Sequence, residues 1–313
     1  MPGTARVLRN TFSWSHSRHE TFLECPRRYY YHYYGAWGGW SWDAETRVRR
    51  IYVLKNLKPR QVWAGGVVHE IVADALRDIR AGRPVAAGPG REAAEGAVAR
   101  LRREFRESRD GAYLTRPKQA IGLMEHHYRE PVPDAEWREL AEAVRLAVLR
   151  FHEGPYLDEA RALDAEAWLA LEDLATFEQE GVPVFVRLDL AMRAGDDGVT
   201  IVDWKTGRRA PRPEGLQLAT YALFVQARWQ VAPSAIEVRE VNLSSGAEGR
   251  GRVSPQQLEA ARETIRDSMR EMRARLVDAA ENRAREEDFV TRPGPRTCPR
   301  CVFREICPET SIA

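Results

Sequence analysis

A chain of 313 residues, 43% hydrophobic and 30% charged, is long enough to bury a substantial core and has no run of eighteen apolar residues that could cross a bilayer. Its net charge of +2 does not by itself mark a nucleic-acid binder. Residues 1 to 60, however, hold eleven basic side chains against four acidic ones, a balance of +7 that leaves −5 for the remainder. The start of the chain, Met1 to Arg6, lacks an apolar signal-peptide core. The expected compartment is therefore a reducing cytoplasm, where four cysteines serve something other than disulfides. Only four lysines stand against forty-four arginines, which reads first as codon bias but singles out Lys205, because an arginine cannot readily exchange a proton.

In chain order, Ser13 or Ser15 caps a predicted helix through His19, Phe22, Leu23 and Cys25. The aromatic run Tyr29 to Tyr34 follows, then glycines 35, 38 and 39 with Trp37, Trp40 and Trp42; beside the basic charge these rings either pack or stack on unpaired bases. From Gly66, the residues Val67, Val68, Ile71, Val72, Ala75, Leu76 and Ile79 recur at helical spacing, with His69 at the edge of the stripe. A Pro/Gly-rich loop is expected over 82–90, then a mostly helical insertion over 91–152 broken near Gly111 and Pro131 to Pro133. Residues 184–192 alternate as one half-buried strand, Asp197-Gly198 supplies a turn, and Val199 to Lys205 forms the returning strand of a hairpin. A helix over Gln217 to Trp229, a strand over Ile236 to Leu243, a long helix from Pro255 to about Glu287 and a cysteine-rich tail complete the reading.

Chemistry gathers on the hairpin. Asp189 and Asp203 on adjacent antiparallel strands can face each other, and two carboxylates with a main-chain carbonyl, that of Trp204, suit Mg²⁺ or Mn²⁺. Lys205 is two residues from Asp203 and emerges on the same side, as a shared reacting phosphate requires. Gln217 and Tyr221, four apart, share a helix face and can reach that phosphate. No Gly-rich phosphate loop is present, so any helicase action belongs to a partner. Cys298, Cys301 and Cys307, joined by the distant Cys25, supply four thiolates that suit zinc or an iron–sulfur cluster, and the spacing does not distinguish them.

At these residues the chain resembles the RecB-like branch of the PD-(D/E)XK nuclease superfamily. Gly65-Gly66-Val67-Val68-His69-Glu70 matches its helical histidine. Val186-Arg187-Leu188-Asp189 resembles its Gly-Arg-Ile-Asp element with Val186 in place of glycine. Asp203-Trp204-Lys205-Thr206-Gly207 is close to Asp-Tyr-Lys-Thr-Gly, and Gln217 to Tyr221 fits Gln-x-x-x-Tyr. The resemblance implies a restriction-endonuclease-like α/β core, a mixed central sheet flanked by helices, with a helical insertion and a cysteine-ligated cluster joining the two ends of the chain. It implies Asp189, Asp203, Lys205, Gln217 and Tyr221 as catalytic residues. The metal would be held by His69, Asp189, Asp203 and the Trp204 carbonyl, and an acid before the first core strand, Glu166, joins them, with Asp164, Glu172 and Asp173 as alternatives. One N-terminal and three C-terminal cysteines resemble the iron–sulfur nucleases of this branch, including the AddB nuclease domain and CRISPR-associated relatives, which implies a [4Fe–4S] cluster on Cys25, Cys298, Cys301 and Cys307, with zinc as the alternative.

The expected segments are 1–64 (basic, aromatic, first cluster ligand), 65–160 (helical, with the histidine), 161–250 (nuclease core) and 251–313 (long helix and cysteines), interleaved in one domain. The expected activity is Mg²⁺- or Mn²⁺-dependent cleavage of DNA, as an exonuclease on single strands or ends, in repair, recombination or defence, with a possible helicase or CRISPR partner and no membrane. The alternatives are a nuclease-fold DNA-binding or scaffolding subunit with little or no cleavage, and a zinc-stabilised nucleic-acid-binding protein.

Overall fold

The computed structural model describes residues 8–83, 89–195 and 197–309, so the opening segment Met1 to Arg6 lies outside the described residues. The chain divides into two compact units, one of residues 57–177 and 185–263, the other of residues 1–56, 178–184 and 264–313.

The first unit is built on a five-stranded mixed sheet. In spatial order its strands are β1 (Trp168–Ala170), β2 (Leu190–Ala194), β3 (Gly198–Lys205), β4 (Ile236–Asn242) and β5 (Glu248–Arg252). All neighbours are antiparallel except β3 and β4, which run parallel. β3 is central because its sequence tolerates burial on both faces: Val199 through Trp204 are all buried, and β-branched residues make up most of that run. A parallel neighbour requires a crossover, which helix α4 (Leu216–Trp229) supplies, with every residue from Leu218 to Val225 buried.

Helices α1 (Arg60–Arg80), α2 (Pro89–Arg109) and α3 (Asp134–Glu153) belong to the same unit. α1 buries Trp63, Ala64, Val67, Val68, Val72, Ala75 and Leu76 in one core with Val148, Phe151 and Trp204, so the periodic stripe of the sequence is its core face. Each such aliphatic or aromatic side chain contributes about 1.5–3 kcal/mol on burial. α2 ends before Gly111, whose φ of +78° no helix continues, and α3 starts after Pro133. The expected loop over 82–90 is shorter than predicted, since Gly90 already lies in α2; residues 84–88 are outside the described set.

The expected strand 184–192 is two strands. Val182–Arg187 pairs with Leu174–Gln179 in a separate two-stranded sheet, and β2 begins only at Leu190. The alternation of apolar residues runs across the break, so the period of two could not reveal it.

In the second unit, Ser15 caps the helix His16–Glu24, accepting the Arg18 N–H at 3.2 Å. Cys25 separates it from Pro26–Tyr30, and Tyr31–Gly35 closes as a π-turn. Tyr29 and Tyr31 are fully buried, against Phe289 and Phe303 respectively, so packing and not base stacking accounts for them; Trp42, by contrast, is 95% exposed. The long helix expected to reach Glu287 ends at Arg273. Beyond it Asp278 accepts the Ala280 and Glu281 N–H groups in a turn, and buried Asn282, at φ +49°, accepts from the Tyr34 hydroxyl and donates to the Asn10 carbonyl. Charge patterning carries no sign of this stop.

Candidate active site

Alternation along β3 puts Asp203 and Lys205 on one face, and Lys205 Nζ lies 2.6 Å from Asp203 Oδ2. The first turn of α4 delivers Gln217 to both. Its Oε1 accepts from Lys205 Nζ at 3.0 Å, and its Nε2 donates to the Tyr221 hydroxyl at 2.8 Å and, at 3.4 Å, to Asp203 Oδ1. The amide thus ties carboxylate, ammonium and phenol into one hydrogen-bonded unit, with Tyr221 presented by the i, i+4 spacing.

Asp189 stands one residue ahead of β2, not within a strand. The register, Leu190 opposite Val202, sets it opposite Asp203, and its Oδ2 accepts the Trp204 N–H at 2.7 Å. The Trp204 ring is a core group packed edge-on against Phe151 and Tyr156. His69 Nδ1, from α1, lies 3.5 Å from Asp189 Oδ2 and 3.7 Å from Glu172 Oε1. Among the described residues, His69, Glu172 and Asp189 are the one set of three whose ligand atoms all lie within 4.8 Å of one another. Glu172, rather than exposed Glu166, is the acid at this place. It sits in the left-handed region at φ +55°, held by its N–H bond to the Leu188 carbonyl.

The charges are set against each other. Asp203 is 1% exposed, and burial first, then repulsion from Asp189, raises its carboxyl pKa, with Lys205 opposing. Its Oδ2 is buried and makes no hydrogen bond of proper angle, leaving the Lys205 ammonium as its neighbour. Burial lowers the pKa of His69, but the carboxylates of Asp189 and Glu172 more than offset this and bring it up to about 10. Buried carboxylates with an imidazole at this spacing are a donor set that fits a divalent cation.

Behind the lysine, buried Asn242 donates to the carbonyls of Gly207 and Arg209 at 2.7 and 2.9 Å and accepts the N–H groups of Ser244 and Ser245. The segment that leaves β3 is thereby fixed. Nothing in the spacing of Asn242 announced this role.

The other unit brings the four cysteines to one cavity. All four are free thiols, and Arg27, Arg28, Arg292 and Arg304 line the same cavity. Burial pushes Cys301 up to about 11 and raises Cys307, while Cys298 Sγ accepts the Gly294 N–H at 3.3 Å. Four thiols among four guanidiniums form a site suited to an anionic metal–thiolate centre.

Among the described residues no helix is long and apolar enough to cross a membrane. No curated protein matches the chain. One family profile does, over residues 13–308, a span that takes in the carboxylates, Lys205 and all four cysteines, and by that match the chain belongs to the PD-(D/E)XK nuclease superfamily.

Proposed function

We propose that this chain is a divalent-metal-dependent deoxyribonuclease of the RecB-like kind, acting as an exonuclease on single-stranded DNA or DNA ends. The reading rests on the unit formed by Asp203, Lys205, Gln217 and Tyr221 opposite the trio His69, Glu172 and Asp189. Asp189, Asp203, His69 and Glu172, with the Trp204 carbonyl, would hold Mg²⁺ or Mn²⁺, and the cation when bound supplies Lewis-acid chemistry: it acidifies water and offsets charge on the phosphate. The chain's own groups do the rest. Lys205 keeps an ammonium at the carboxylates, where it can hydrogen-bond a phosphate oxygen and hold a proton at Nζ. Gln217 fixes the lysine's direction, and Tyr221, whose burial raises its hydroxyl pKa, stays a neutral hydrogen-bonding group.

The cysteines, on the same reading, hold a structural [4Fe–4S] cluster, supported by four thiols that share one cavity with four guanidiniums, with zinc as the alternative. Digestion of end-labelled single- and double-stranded DNA with Mn²⁺ or Mg²⁺, with closed circular DNA as control, tests the activity. Metal-dependent loss of linear substrates with intact circles is expected, and no cleavage with either metal sinks the reading. Anaerobically purified protein should be brown and contain iron and sulfide; a colourless protein with stoichiometric zinc overturns the cluster.

A further inference from the structure

Helix α1 carries two adjacent glycines in its interior, each less favourable there than alanine. Gly65 has a reason inside the chain: a Cβ there would stand 2.7 Å from Thr206 Oγ1, one residue beyond Lys205. Gly66 has none, because beyond its own helix backbone and its chain neighbours a Cβ there would meet no atom within 4 Å. Its position supplies a reason instead. Gly66 lies three residues before His69 and so shares that residue's side of the helix, and the Gly65 contact holds this turn against the end of the lysine strand. The open space at Gly66 therefore adjoins both the histidine of the trio and the segment bearing Lys205. Gly207, where a Cβ would again meet nothing, extends the bare surface past Thr206, and exposed Arg208 and Arg209, without an ion pair among the described residues, follow it. The buried Asp203 Oδ2, whose neighbour is the Lys205 ammonium at 2.6 Å, belongs to the same site.

We infer that the bare turn of α1 at Gly66 is the passage for the sugar-phosphate backbone of the substrate strand, with Gly66 as a positioning residue; this rests on the nuclease reading above. Without a side chain, the helix lets a polymer backbone approach to van der Waals contact beside the metal-binding trio. A bulky residue there closes the path while every proposed ligand of the metal stays in the chain.

The test compares Gly66→Leu with Gly96→Leu in the full chain. Gly96 is an exposed interior glycine of α2 where a Cβ also meets nothing, so it controls for helix propensity. Binding of a fluorescein-labelled single-stranded oligonucleotide of about 20 nucleotides is followed by anisotropy with Ca²⁺, and Mn²⁺ binding by calorimetry. Gly66→Leu should weaken DNA binding by about tenfold or more with Mn²⁺ affinity unchanged. Gly96→Leu should leave both unchanged, and each variant should raise the melting temperature by about 2–4 °C. Should leucine at position 66 lower stability instead, Gly66→Ala is the second variant, expected to melt higher than wild type and still bind DNA about threefold more weakly. Wild-type DNA affinity in the folded Gly66 variant, equal weakening in both leucine variants, or no DNA binding by the wild type overturns the inference. A wild type that binds the oligonucleotide but never cuts it with Mn²⁺ sinks the nuclease reading alone.

Discussion

The carboxylate site and the cysteine cavity are assembled over very different lengths of chain. Asp203, Lys205 and Gln217 fall within 14 residues, and Asp189 is 15 residues from its hydrogen-bond partner Trp204. Cys25 and Cys298 are roughly 270 residues apart. Closing the longer loop costs about 2.5 kcal/mol more in chain entropy than closing the shorter one. Strand register and a helix turn therefore suffice to organise the first site, whereas the second also needs contacts between the two ends of the chain, such as Tyr29 on Phe289 and Tyr31 on Phe303.

The largest effect that would break this contrast is at the lysine. Lys205→Ala and Asp203→Asn should each lower cleavage on the order of 10³-fold while iron content and melting temperature stay near wild type. A loss of the cluster in either variant, seen in its visible spectrum, would show that the two sites are not independent. Next in size, Cys25→Ala or Cys298→Ala should lower the melting temperature by about 10 °C or more and remove bound iron. A variant that melts like wild type would deny the cysteines their part in closing the chain.

Smaller effects sharpen the first site. Glu172→Gln should weaken Mn²⁺ binding about 10- to 100-fold by calorimetry, and Glu166→Gln should not change it; the reverse result would return the role to Glu166. The smallest is a pH effect in the unit of the cysteines. Burial, reinforced by Arg28 and Lys55, lowers the pKa of His32 to about 3. The unfolded chain takes up this proton near pH 6.5 and the folded chain does not, so the stability present above pH 6.5 is lost as pH falls toward 3. Between pH 7 and 5 the contribution is about 1–2 kcal/mol, read as the difference between the pH profiles of wild type and His32→Phe in denaturant unfolding.

The same difference in span explains what could be read from the residues. A period of two fixed the common side of Asp203 and Lys205, and a period near four fixed Gln217 with Tyr221, because both follow from backbone geometry alone. The break at Leu188 and Asp189 was hidden, since apolar residues keep alternating through it. β5, Glu-Gly-Arg-Gly-Arg, gave no strand signal because an edge strand pairs through its backbone while its side chains meet water. Glu172 was one acid among several until a left-handed turn, which no local pattern demanded, aimed it at His69. The meeting of four thiols and four guanidiniums is a property of the folded unit, and composition offered only the count of cysteines.

Asn242 gives the first site one more property. By clamping the carbonyls of Gly207 and Arg209 from a neighbouring strand, it anchors the exit from the lysine strand at that point. A change in the stretch from Ala210 to Pro213 is accordingly stopped at Arg209 before it reaches Lys205, whereas Gly215, the N-cap of α4, ties the other end of that stretch to Gln217.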